Sequence, residues 1–106
     1  MMIDQDQIDA FARDGVVFLP GLFKDWVESL CAGIERNMRE PGPYAAENLK
    51  PGESGRFFDD YCNWERIPEF VDFARNSPAA QAAAELMRSK TAQLFHDHVL
   101  VKEPGT

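Results

Sequence analysis

The chain has 106 residues, enough for one domain or part of one, and 44% of them are hydrophobic and 11% aromatic. A chain of this size is expected to bury roughly two-thirds of its unfolded surface, which argues against disorder throughout. The formal charge of −7 and a pI near 4.7 repel phosphate backbones and anionic lipid heads, so neither nucleic acid nor a membrane surface is an expected partner.

In chain order, Asp4 and Gln7 have capping-box spacing. Ile8, Phe11 and Ala12 then follow a helical repeat, and Asp14-Gly15 supplies a stop. Val16-Val17-Phe18-Leu19, bounded by Gly15 and Pro20-Gly21, reads as a short buried strand because of its length and β-branched content. Trp26, Leu30, Ile34 and Met38 recur every four residues, with Val27 and Cys31 widening the stripe. This predicts a helix packed on the core. Between Pro41 and Arg56, five prolines and glycines besides Pro41 break any regular element. That stretch reads as a long loop, either mobile or facing a substrate.

Phe57-Phe58 and Tyr61 to Trp64 form an aromatic patch without a clean period, read as core or pocket lining. Pro68 opens a short helix carrying Phe70, Val71, Phe73 and Ala74. Ser77-Pro78 opens a second, alanine-rich helix through Leu86-Met87, with Arg88 and Lys90 at its negative end. Thr91 to Val101 reads as a strand.

Cys31 and Cys62 belong to no CxxC or Cys/His metal spacing. They are expected to be buried free thiols in a reducing compartment. The start lacks the basic and apolar regions of a secretion signal, and no apolar run reaches the length of a bilayer span. The expected location is the cytoplasm.

Chemistry concentrates at the end of the chain. On a strand, alternate residues share a face. Leu94, His96, His98, Leu100 and Lys102 are therefore expected on one side, with Phe95, Asp97, Val99 and Val101 on the other. Both histidines of the chain and a lysine then line one face. Three readings are open: a His-x-His metal site lacking an identified third ligand, an anion site holding a carboxylate between the imidazoles and the Lys102 ammonium, or two polar histidines that simply bond to neighbours.

Two stretches resemble the phytanoyl-CoA dioxygenase family. The first, Phe11-Ala12-Arg13-Asp14-Gly15-Val16-Val17-Phe18-Leu19-Pro20-Gly21, is similar to its opening helix-strand segment. The second, Leu94 to Thr106, is similar to its strand ending in Lys-x-Pro-Gly, here Lys102-Glu103-Pro104-Gly105. The resemblance implies an α+β chain forming the N-terminal helices and first strands of a double-stranded β-helix (a jelly-roll or cupin-like barrel), incomplete here. It also implies an oxidoreductase, a dioxygenase using non-haem Fe(II) and 2-oxoglutarate to hydroxylate a small-molecule substrate.

Lys102 matches the family lysine near 2-oxoglutarate, and His96 falls where relatives carry a histidine. His98 has no counterpart. The family's iron ligands follow the Lys-x-Pro-Gly segment, so the chain is expected to hold no iron triad and to be inactive by itself. Its terminal strand is expected to have an exposed edge open to self-association. The competing expectations are a stand-alone, non-catalytic interaction module and a small His-x-His metal-binding protein.

Overall fold

The first helix, α1 (Gln5–Asp14), begins where the capping box predicts. The Gln7 amide donates to Asp4 Oδ1 at 2.8 Å and the Asp4 amide to Gln7 Oε1 at 3.1 Å, satisfying two amides that the first turn leaves unpaired. Gly15 ends it in the left-handed region (φ 74°), where a side chain would be strained. The computed structural model describes residues 2–106.

Val16 to Leu19 does not form the predicted strand. The run alternates outward and inward: Val16 and Phe18 are exposed, while Leu19 packs against the cluster formed by α1 and a later helix. Its length and β-branched content suit a strand, but a strand also needs a partner for its amides and carbonyls, and among the described residues none lies alongside.

After a single 3-10 turn at Lys24–Trp26, α2 (Val27–Arg39) follows. Its fully buried positions are Gly33 and Asn37, flanked by the half-buried Leu30, Ile34 and Met38. Val27 and Cys31 face solvent instead of extending the apolar stripe. The seam turned inward by Gly33 is narrower than the sequence suggested. Both cysteines are in fact exposed free thiols, contrary to the expectation of burial.

Gly33 meets α3 (Pro68–Asn76), which opens on its proline as predicted. A Cβ at Gly33 would lie 2.7 Å from Phe70 Cε1 and 2.9 Å from Glu69 Cβ, so the two helices touch where a methyl would stand. Arg36 of α2 grips Glu69 of α3 through two bonds of 2.9 and 3.0 Å. The Phe73 ring takes the edges of Phe23 at 5.3 Å and Trp26 at 5.7 Å.

The last helix, α4 (Ala79–Met87), is entered through Ser77, whose Oγ accepts from the Ala79 amide at 3.2 Å. It packs on α1, where Ile3, Ile8 and Ala82 are buried with Leu19, Leu22 and Leu86 around them.

Three antiparallel strands form one sheet in the order β1 (Ala46–Glu47), β2 (Phe57–Tyr61), β3 (His98–Lys102). The predicted loop over 41–56 thus contains a short strand, and the aromatic patch begins with the central one. Phe58 and Asp60 of β2 point into the protein, whereas Phe57, Asp59 and Tyr61 are half-exposed. This alternation was masked because an aspartate occupies an inward position.

The last strand is also shorter than Thr91 to Val101. Its register with β2 begins at Tyr61↔His98. Beyond Tyr61, Cys62 adopts a left-handed conformation (φ 54°) and turns the chain away. Residues 91–97 are thereby left without a partner strand, apart from the bond from the Cys62 amide to the Asp97 carbonyl at 3.2 Å.

The assembly is elongated, 50 × 27 × 23 Å, with a radius of gyration of 16.3 Å, against about 13 Å for a compact domain of this length. Its accessible surface of 7474 Å² exceeds by roughly 1,500 Å² that of a compact monomer of the same mass. Among the described residues only five apolar side chains are buried, so much of the apolar content predicted to form a core stays at the surface. Among the described residues no helix is long and apolar enough to cross a membrane.

Candidate functional site

Pairing of β3 with β2 decides which side chains share a face. Val99 and Val101, opposite Asp60 and Phe58, are half-buried on the side that α2 backs. There the buried Asp60 carboxylate accepts from Asn37 Nδ2 at 2.9 Å, the Gly42 amide at 2.7 Å, the Tyr61 amide at 2.9 Å and Asn63 Nδ2. His98, Leu100 and Lys102 are exposed on the opposite, bare side, facing Tyr61, Asp59 and Phe57 across the ladder.

His96 lies outside the strand, but its ring returns to this side. It stands 5.8 Å from the His98 ring and 6.0 Å from that of Tyr61. Tyr61 is itself 5.5 Å from His98 and stacks on Tyr44 at 5.0 Å. Cys62 completes the group: its Sγ is 3.6 Å from His96 Nδ1.

Lys102 sits at the other end of the strand, its ammonium 5.5 Å from the centre of the Phe57 ring. Four positions of extended chain put it about 13 Å from His98. The structure therefore brings the two histidines together but does not bring Lys102 to them. One small carboxylate cannot bridge both ends, so the reading of an anion held between lysine and imidazoles fails on distance. Among the described residues Lys102 forms no ion pair, which leaves its charge available.

The sequence singled out His96, His98 and Lys102 and missed Tyr44, Tyr61 and Cys62 as their companions. Cys62 is 34 positions from His96. Only the antiparallel register, which sets Tyr61 opposite His98, reveals the contact, and no local spacing encodes it.

An open groove of about 700 Å³ runs beside the strand, between residues 92–100 and the three helices α2, α3 and α4. Leu30, Ile34, Phe73 and Ala83 line its helical side, while Leu94 and Leu100 line the other. It is predominantly apolar, and His96 and His98 reach its border.

The Fe(II) that the resemblance implies does not fit here. Among the described residues no three His, Cys, Asp or Glu side chains stand arranged as a ligand set, and no carboxylate joins the two histidines. No family model, curated protein or solved structure matches the chain.

Proposed function

We propose that this chain forms the helical shoulder and first strands of a non-haem Fe(II)/2-oxoglutarate-dependent dioxygenase of the phytanoyl-CoA dioxygenase type. Lys102 would receive a carboxylate of 2-oxoglutarate, and the iron would be held by residues beyond those described. The observation that carries the reading is the two-sidedness of the sheet. One face is joined to α2 through the Asn37–Asp60 bond, and the other is bare and bears Lys102, as the wall of a double-stranded β-helix would need of its outer and inner faces. The two stretches of family resemblance support the reading only in part, since the Val16 to Leu19 run of the first forms no strand. The long helix α2 follows the first, and the second ends in the strand carrying Lys102.

The sheet can continue beyond β3. The Cys62 amide bonds to the Asp97 carbonyl, and the Glu103 amide to the Arg56 carbonyl. Odd-numbered residues of β3 thus pair with β2, and the backbone groups of His98, Leu100 and Lys102 point to the free edge. A further strand would add there. In its absence the same edge offers a route to self-association.

The reading is tested by sequencing the transcript past the Thr106 codon and assaying the protein it encodes. A His-x-Asp soon after Thr106, with a later histidine and arginine, is expected. So is conversion of 2-oxoglutarate to succinate, with Lys102→Ala raising the KM for 2-oxoglutarate about tenfold or more. A stop codon directly after Thr106, or a KM unmoved by Lys102→Ala, overturns it.

A further inference from the structure

We infer that Cys62 is a reactive thiol with His96 as its base, and that it forms a mixed disulfide with low-molecular-weight disulfides, independently of the dioxygenase reading. The two residues are 34 positions apart, and the fold sets Cys62 Sγ 3.6 Å from His96 Nδ1. With the ring proton on Nε2, Nδ1 accepts from the thiol. Thiol chemistry needs such a neighbour, because the thiolate and not the thiol is the nucleophile.

The pair is held from several sides. The Cys62 amide donates to the Asp97 carbonyl at 3.2 Å, and the next amide, of Asn63, donates to the Asp97 carboxylate at 3.3 Å. Both bonds tether the turn after β2 to the residue adjoining His96. Cys62 itself is in the left-handed region (φ 54°), a conformation that non-glycine residues keep where the surrounding structure imposes it. The His96 ring is flanked by His98 at 5.8 Å and by Tyr61 at 6.0 Å, and Tyr61 stacks on Tyr44. Cys62 and His96 are nonetheless exposed, so a small disulfide reaches the sulfur without any opening of the fold. Cys31 is a second exposed thiol, on α2. Among the described residues no imidazole bonds to it, which makes it an internal reference.

In the reaction, His96 takes the Cys62 proton and the thiolate attacks one sulfur of the disulfide. A bond forms from Cys62 Sγ to that sulfur as the original S–S bond breaks. The departing thiolate receives the proton from the imidazole and leaves as a free thiol. Cys62 is oxidised, the departing sulfur is reduced, and no further oxidant enters.

The test uses hydroxyethyl disulfide near neutral pH, with adduct formation followed by mass spectrometry. This probe is uncharged, so the net charge of −7 does not steer it. Protein with Cys62 alone (Cys31→Ser) is expected to react about tenfold or more faster than protein with Cys31 alone (Cys62→Ser). Adding His96→Ala or His96→Gln to the Cys31→Ser protein should each remove that advantage. Glutamine keeps polarity and much of the bulk but cannot take the proton, so its effect separates a base from mere packing. Far-UV circular dichroism verifies that each variant is folded. Equal rates for the two thiols, or a folded His96→Gln variant that reacts as fast as its parent, overturns the inference.

Discussion

Asp60 is the residue on which the sheet and α2 depend most. Its carboxylate is fully buried and collects four N–H donors from four parts of the chain: Asn37 on α2, Gly42 in the following loop, Tyr61 next to it on β2, and Asn63 beyond. Both NH₂ groups donate to the carboxylate, while the amide oxygens of Asn37 and Asn63 have no partner among the described residues. Turning either amide would aim an oxygen at a negative charge. Removing the carboxylate would strand all four donors, two of them, Asn37 Nδ2 and Asn63 Nδ2, in the buried interior. Asp60→Ala should therefore cost about 3 kcal/mol or more, seen as a lower urea midpoint. A midpoint within experimental error of wild type would show that the hub relaxes and that its bonds matter little.

At the scale of elements, the N-terminal segment is tied to α4 by Glu85, which accepts from the Ile3 amide at 2.9 Å and the Met2 amide at 3.2 Å. These bonds, the one from Ile3 foremost, hold the Glu85 carboxyl below its ordinary range, with Gln81 adding to the effect. A carboxyl whose folded pKa is depressed contributes stability above its unfolded value and loses it as pH falls through the folded one. Wild-type protein should thus lose more thermal stability between about pH 5 and pH 3 than Glu85→Gln does. Parallel melting curves check this, and identical acid slopes would remove the tie.

The helices and their caps were legible in the sequence because both depend on near neighbours: Asp4 with Gln7, Pro68 at a first turn, Ser77 before Ala79. The strands were less so. β1 is two residues long and hides in a glycine- and proline-rich stretch. β2 carries Asp60 inward, against the hydrophobic pattern. The Val16 to Leu19 run has strand character but no partner. At the candidate site, the shared face of His98 and Lys102 followed from strand periodicity. Their 13 Å separation also follows from the rise per residue, whereas the approach of Cys62 to His96 depends on a register that only tertiary structure fixes.

For the whole molecule, the decisive quantities are its length and its surface. About 1,500 Å² of surface beyond that of a compact monomer is nearly twice the roughly 800 Å² that each partner buries in a standard two-protein interface. Leu100, 63% exposed, sits at the middle of the free edge and beside the groove. The isolated chain should therefore show concentration-dependent association in light scattering, and Leu100→Lys should return it toward the monomer without lowering its melting temperature. A monomer at all concentrations would mean that the edge is protected.

The contact at Gly33 reaches further than the helices it joins. Leu30 and Ile34 on one helix and Phe70 and Phe73 on the other all look into the same trough, so the gap between the two helix axes sets how wide that trough is. A single hydrogen atom acts as the spacer. Bulk added at this point would wedge the two supports apart and recut the channel they border, although the glycine itself has no part in lining it.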